Sequence, residues 1–584
     1  MTTSLDFLAA HVLLRTATGI GLVLCLGLLI PAAWSTREFS PVFRIPRQVA
    51  RSIARNGFAS LLCVFLIAWA SGASNGILKM PTPSVNDEFG YLLAADTFAQ
   101  GRLANPQHSL YRHFETFAVS HSPTYVSKYP PASAAFMAVG QWTFGHPWWG
   151  QLIAFSLGAM CVSWMLRAWI GPRWGLIGGI FIALHPVMQH FSDYDYNWSN
   201  YSWSHSYWGG SVTMMGAALL FGGLRRVIRN GRASDALFMS LGIALLAFSR
   251  PFEGFIATAI AIALLLRHLV TTGKHDREKP SLLRIVVPML LVGIPSILFL
   301  AHYNEVTTGD PFRLAHQHYA DQYGTAAEFL IQAPRVPPES YGNGEMERFY
   351  MNWVRPAFLS QTTDAGAYWH FKSEGVERFV WFYVGMLFPA LLGTIALVHR
   401  RWWRLAGGFT LLTFGLIFIT FEFHPHYAAA AAPFIIALLV GGMAELWRRR
   451  GERAWMAHAL VIVLVVLGTV PRVFDLPTRT WGLDVRDWPR LRESIVTDLE
   501  SVRGNDLVIV SYKPDHSVFQ EFVKNGADLD EGSVVWARDL GTEESRRQLL
   551  DYYADRKVWI FLADANPPVI KRYVDRGQRT SSRN

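Results

Sequence analysis

Ser84-Val-Asn-Asp87-Glu88-Phe-Gly-Tyr91-Leu-Leu-Ala-Ala opens, and Ser127-Lys128-Tyr129-Pro130-Pro131 closes, a mostly polar stretch running from Pro81 to Pro131. Apolar runs near 57 to 79 and 131 to 147 flank it, so both ends are expected beside a membrane surface, with paired carboxylates at one end and a lysine at the other. The rest of the chain agrees with that placement. Of its 584 residues 51% are hydrophobic and only 17% charged, with 22 Trp and 38 Phe, and the mean hydropathy is +0.19. A soluble domain rarely combines these features, so an α-helical polytopic membrane protein is the expected class. The net charge of +9 does not call for a nucleic-acid partner: most basic residues sit in short clusters between apolar runs, where the positive-inside rule assigns them to cytoplasmic loops. Cys25, Cys63 and Cys161 all lie inside apolar runs, which argues against a disulfide framework or a zinc site. The first apolar run has no Lys or Arg ahead of it and carries Arg15 within it, against a cleavable signal peptide.

Working outward, roughly twelve or thirteen windows approach the length and hydropathy of a spanning helix. They fall near 11–34, 57–79, 131–147, 150–170, 174–191, 208–224, 234–249, 252–271, 282–303, 377–398, 403–421, 426–447 and 454–471. Basic clusters occur at Arg37 to Arg55, at Arg225, Arg226 and Arg229, at Arg267 to Lys279, at Arg400, Arg401 and Arg404, and at Arg448 to Arg450. Taken as cytoplasmic, they place outside the 191–207 loop, the Arg250-Pro-Phe-Glu253 turn, the long 304–376 loop, the Phe421-Glu-Phe-His424-Pro-His426-Tyr427 turn and the C-terminal tail. The count fails once: an odd number of windows separates the 81–131 loop from the second cluster. The window that starts at Pro130-Pro131 and contains Gly140 and Gly145 is the suspect, as a re-entrant or partly inserted helix. The membrane part is thus residues 1–470, with outer loops 81–131 and 304–376. Residues 471–584 read as a small α/β soluble domain, with buried strands at Leu507–Tyr512, Val534–Arg538 and Val558–Leu562 and helix-like segments near 486–503 and 543–555. It carries no Gly-rich phosphate loop.

Asp87 and Glu88 precede Phe89, Leu92, Leu93 and Phe98 at helical spacing, as expected of an amphipathic helix lying on the membrane. A capping box from Ser84 to Asp87 accounts for one carboxylate. It does not account for two adjacent acids just outside a spanning helix with Lys128 across the loop.

These residues resemble the GT-C glycosyltransferases of the aminoarabinose, dolichyl-phosphate-mannose and related bacterial families. The matching residues are Asp87-Glu88, Tyr91, Ala94-Ala95, Gly101-Arg-Leu103 and Lys128-Tyr129-Pro130-Pro131. The resemblance implies a membrane glycosyltransferase of GT-C-like fold that uses a polyprenyl-phosphate-linked sugar donor at the outer face of the bacterial inner membrane, with the C-terminal domain on the periplasmic side. It implies Asp87 as catalytic base, Glu88 as its assistant or as a ligand of a divalent cation (Mg or Mn), and Lys128 as a contact to the donor phosphate. The acceptor, whether lipid, polysaccharide or protein, is not inherited. The chemistry agrees: an inverting transfer needs one carboxylate to take the acceptor proton, and a phosphate leaving group needs charge neutralisation in place of a general acid.

Other outer segments supply further candidates. Asp193, Asp195 and His205 lie in the Tyr- and Trp-rich stretch after the 174–191 window, whose aromatic residues read as an interfacial belt. Arg250 is either a helix-terminating partner of Glu253 or a phosphate ligand. His424 and His426 flank Pro425 as structural or substrate contacts, and Tyr319 and Tyr323 are placed to shape the acceptor side. A transporter or flippase for a lipid-linked or anionic substrate is the alternative, and it predicts charged or helix-breaking residues near the middle of several windows. Here the acids cluster at outer ends.

Overall fold

The computed structural model describes residues 4–29, 40–78, 80–189, 202–271, 281–471, 488–502 and 504–573. Asp193 and Asp195, and the basic residues Arg37, Lys274, Arg277 and Lys279, lie outside the described residues. Every apolar window forms helix, but not every helix spans. Among the described residues eight helices are by themselves long and apolar enough to cross a membrane: Leu5–Leu29, Gly57–Leu78, Pro147–Trp169, Ser211–Asn230, Pro251–Thr271, Leu282–Thr308, Arg401–Ile419 and Pro425–Trp447. A ninth is a pair, Ala365–Tyr383 and Gly385–Leu397, bent by 83° where Gly385 takes a positive φ of 46°. The remaining windows of the expected twelve or thirteen form shorter helices. The windows near 131–147, 174–191, 234–249 and 454–471 yield helices of 14, 12, 15 and 16 residues, at ~1.5 Å per residue shorter than a hydrocarbon core of ~30 Å, yet those over Pro172–Ala183, Ala233–Ala247 and Ala454–Thr469 still lead from the face of the basic clusters to the face of the 81–131 loop and Arg250.

One of these short helices resolves the failed count. Pro131–Phe144 begins at the membrane face that carries Arg250, where the Ala132 N–H donates to the Phe248 carbonyl at 2.9 Å. Near its other end, Trp142 Nε1 donates to the Ala99 carbonyl (2.6 Å) and Gln141 to Asp96 (3.3 Å). Between them, Ala134 and Met137 share a core with Tyr91, Ala94 and Ala95 of the helix Asn86–Ala99, so the segment lies alongside that helix without crossing. A left-handed Gly145 (φ 74°) ends it, and Pro147–Trp169 then dives inward. The two helices meet through Gly140 and Gly150; a Cβ at Gly150 would collide with the Phe136 carbonyl.

The far face gathers the basic clusters. Arg167 Nη1 donates to the Ala54 carbonyl at 2.6 Å, Arg173 lies 5.3 Å from the rings of Trp174 and Trp447, Arg225 lies 4.8 Å from Trp402 and Arg400 pairs with Glu445 at 3.5 Å. Clusters far apart in sequence thus share one face, the side opposite the 81–131 loop, as the positive-inside pattern requires.

The 81–131 loop folds back through a small antiparallel sheet in the order β1 (Asn105–Pro106), β3 (Thr124–Ser127), β2 (Val119–Ser120). The C-terminal domain is a four-stranded sheet in the order β5 (Val534–Arg538), β4 (Asp506–Ser511), β6 (Lys557–Leu562), β7 (Val569–Arg572), the first three parallel and β7 antiparallel. The helices Trp488–Ser501 and Glu543–Tyr552 accompany it. It sits on the loop: Leu93, Phe114, Val119 and Tyr125 share a core with Leu507, Ile509 and Val535, and Phe89 joins Trp488, Phe522 and Trp536 in another. The helix Asn86–Ala99 is thereby held between the membrane part and the C-terminal sheet.

Candidate active site

A cavity of about 630 Å³ opens between the two outer loops. The first loop contributes Asp87, Tyr91, Lys128 and Tyr129; the turn before Pro251–Thr271 contributes Arg250 and, in that helix's first turn, Glu253; the segment before Pro425–Trp447 contributes Glu422 and His424, and the start of that helix His426. The 304–376 loop closes the other side with His316, Tyr319, Glu328, Tyr350 and Trp353.

Asp87 stands in the first turn of Asn86–Ala99. Gly90 lets this helix approach the Ala118 carbonyl, because a Cβ there would come within 2.6 Å of that oxygen. The same carbonyl accepts the Lys128 N–H at 3.1 Å, so one backbone oxygen brings the two ends of the loop together. Lys128 Nζ lies 3.2 Å from Asp87 Oδ1, and 5.0 and 5.3 Å from the rings of Tyr129 and Tyr319. Tyr129 stacks on Tyr91 at 4.0 Å and 8° and bonds Asp87 through its hydroxyl. Burial by itself raises the Asp87 pKa, but the Lys128 ammonium and the Tyr129 hydroxyl outweigh it and hold the carboxyl below its ordinary range. Burial likewise works against the Lys128 charge, and Asp87, Tyr319 and Glu328 keep its pKa above the usual value.

Glu88 does not join its neighbour. Its carboxylate accepts the backbone N–H groups of Ser84 (2.8 Å) and Val85 (3.2 Å) through one oxygen and that of Tyr207 (2.8 Å) through the other, and only 2% of the residue is exposed. It does not line the cavity. In this structure the Glu88 carboxylate, expected to assist catalysis or hold a cation, caps the helix and ties down the 202–210 segment. Burial raises its pKa against the pull of the three N–H donors and Lys524. No group of three or more His, Cys, Asp or Glu side chains suited to a metal comes together among the described residues.

His205 is also displaced from its expected place: it is buried, packs edge-on to Trp148 with ring centres 6.2 Å apart, and does not line the cavity. The sequence missed the role of its neighbours. Tyr207 caps Glu88, and Trp208 packs edge-on to His426 at 4.7 Å and His424 at 5.8 Å. Arg250 and Glu253 do face the cavity, 3.8 Å apart, with the guanidinium 4.6 Å from the Tyr427 ring. His424 lies 3.6 Å from Glu422. His316 and Glu328, 3.7 Å apart, were not singled out from sequence. The backbone bridge between Phe329 and Thr420 aligns Glu328 with the Glu422 segment, and nothing local in the sequence announces that pairing. Of the two tyrosines expected on the acceptor side, Tyr319 lines the cavity, while Tyr323 turns away to donate to Glu115 at 3.0 Å.

Among solved structures the chain is similar to ArnT from Cupriavidus metallidurans, both apo (12% identity over 88% of this chain and 93% of that one, TM-score 0.44) and bound to undecaprenyl phosphate (13%, 86% and 92%, TM-score 0.45). It is also similar to the Archaeoglobus fulgidus oligosaccharyltransferase in its apo form (11% identity over 86% of this chain and 69% of that one, TM-score 0.44). No protein-family model and no curated protein matches it.

Proposed function

We propose that the chain is a GT-C-type membrane glycosyltransferase that moves a sugar from a polyprenyl-phosphate donor to a lipid, polysaccharide or protein acceptor at the outer face of the bacterial inner membrane. One observation carries the reading: a carboxylate, Asp87, paired at 3.2 Å with a lysine, Lys128, inside a membrane-face cavity that also holds Arg250. Two cations suit a phosphate leaving group, and an ionised carboxylate suits an acceptor hydroxyl.

The ion pair also supports an order of events. A donor phosphate entering beside Lys128 and Arg250 competes with Asp87 for the ammonium. The field that depresses the Asp87 pKa weakens, and Asp87 becomes a better base once the donor is in place. Asp87 then takes the acceptor proton, the acceptor oxygen bonds the anomeric carbon, and the bond from that carbon to the phosphate oxygen breaks. The electron pair leaves with the polyprenyl phosphate, whose charge Lys128 and Arg250 meet. No step requires Glu88.

A transporter would place ionisable groups along a path through the membrane, whereas the cavity gathers them at one face. The test is transfer from a panel of radiolabelled polyprenyl-phosphate sugars by the purified chain in lipid. Label release that depends on Asp87 supports the proposal; retention of all label with every donor refutes it.

A further inference from the structure

Among the described residues, none of the C-terminal domain lines the cavity, yet a continuous run of polar contacts leads from that domain to Lys128. Arg538, at the end of β5 and 1% exposed, divides its guanidinium among three segments. Nη1 meets Glu345 Oε2 at 2.5 Å, while Nη2 meets Glu521 Oε2 at 2.5 Å and donates to the Glu115 carbonyl at 3.2 Å. Glu521 belongs to the C-terminal domain, Glu115 to the first outer loop and Glu345 to the second. A planar fork with five donors can hold three such acceptors at once; an ammonium on a flexible stem holds them poorly.

Glu345 lies in the turn Gly344–Glu347, which runs directly into Arg348–Val354, and that segment carries Tyr350 to the cavity. Tyr350 Oη donates to Tyr319 Oη at 2.9 Å, and Tyr319 Oη also accepts the Ala118 N–H at 3.1 Å. Ala118 has a positive φ of 62°. A non-glycine residue keeps that conformation where its surroundings over-determine it, and here its N–H serves Tyr319 while its carbonyl accepts the Lys128 N–H at 3.1 Å. With its oxygen held from two sides, Tyr319 has its ring 5.3 Å from the Lys128 ammonium.

We propose that Tyr319 is the positioning residue that fixes where the Lys128 ammonium meets the donor phosphate, and that the C-terminal domain holds Tyr319 in place through Arg538, Glu345 and Tyr350. The proposal rests on the phosphate role given to Lys128. A lysine has a long, rotatable stem, and the contacts to Asp87 and to the ring of its chain neighbour Tyr129 leave the ammonium unconfined on the side of the 304–376 loop. An aromatic face fixed on that side removes that freedom. The C-terminal domain then acts on the chemistry without touching substrate.

The experiment uses the full chain in lipid nanodiscs with the variants Tyr319→Leu, Tyr350→Phe and Glu345→Gln. The first readout needs no ligand: acetylation of Lys128 by dilute acetic anhydride, followed by mass spectrometry. Tyr319→Leu is expected to accelerate it by about three- to tenfold, and the other two variants by less in the same direction, with the remaining lysines reacting as in wild type. The second readout is binding of undecaprenyl phosphate, expected to weaken by a similar factor in Tyr319→Leu but not to weaken further when Lys128→Ala is already present. Unchanged Lys128 acetylation in all three variants, or full additivity with Lys128→Ala, overturns the proposal. Altered acetylation in a chain whose wild type binds no undecaprenyl phosphate supports the positioning and overturns the phosphate role instead. If Tyr319→Leu fails to fold, Tyr350→Phe, which removes a single oxygen, carries both readouts.

Discussion

Adjacent carboxylates have opposite fates in this chain, and the difference is testable. Asp87 faces the cavity and Lys128, whereas Glu88 is spent on three backbone N–H groups. Asp87→Asn keeps the shape and removes the proposed base, so transfer is expected to fall by about a hundredfold or more while the chain still folds, with the thermal midpoint lowered only by the lost pairing with Lys128; an Asn variant of normal activity rejects the assignment. Glu88→Gln turns an NH₂ group toward N–H donors. Stability is expected to fall by about 1–3 kcal/mol while kcat per folded molecule stays within a few-fold, read from denaturation and transfer assays side by side. The pH dependence carries a definite sign. The folded-state pKa of Asp87 is lowered, so the base is present at neutral pH and lost as pH falls through that depressed value; the stability from its pairing is lost over the same acidic window. Lys128→Ala removes the main opposing charge, so the acid limb of the kcat/KM profile is expected to move to higher pH. An unmoved limb counts against the coupling.

At the level of elements, every apolar window holds a helix, but hydropathy did not decide which ones cross. Pro131–Phe144 is apolar enough to suggest a span, yet Trp142 and Gln141 bond it to the helix Asn86–Ala99. In a chain lacking Cys25, Cys63 and Cys161, a membrane-impermeant maleimide is expected to reach Gln100→Cys and Thr143→Cys from one side and Arg449→Cys from the other. Opposite accessibility of positions 100 and 143 would restore the crossing. Where this helix meets Pro147–Trp169, Gly150→Val drives a side chain into the Phe136 carbonyl. Backbone cannot yield as a flexible side chain can, so a loss of at least about 1–3 kcal/mol is expected in a thermal-shift measurement.

Across the whole molecule, the C-terminal domain is part of the site's scaffold and not an appendage. Phe89 packs edge-on to Trp488 at 6.2 Å, the Ala527 N–H donates to Asp96 at 2.7 Å, Asn86 donates to the Val518 carbonyl at 3.2 Å and Arg102 pairs with Asp528 at 2.6 Å. These contacts run along the helix that bears Asp87. Truncation after residue 471 uncovers Phe89 and Leu93 and removes both the Asn86 and Asp96 anchors, so transfer is expected to vanish and protease to cut within the 81–131 loop. A truncated chain with wild-type transfer and a protected loop would assign the domain a separate role.

The sequence alone determined the class and the place of the candidate site. Apolar runs with polar loops can be satisfied only by helices in a bilayer, three strands of the C-terminal sheet stand out as short buried runs, and both ends of the 81–131 loop had to return to one membrane face. That return placed Asp87 and Lys128 within reach despite a separation of 41 positions. Half-exposed β7 was not legible, because a four-residue Val-Ile-Lys-Arg strand is recognisable only beside β6. Tertiary structure decided the rest, because those choices depend on groups remote in the chain. Successive helical residues point about 100° apart, so Asp87 and Glu88 could not share one cavity. What turned Glu88 inward was the Tyr207 N–H, 119 positions away.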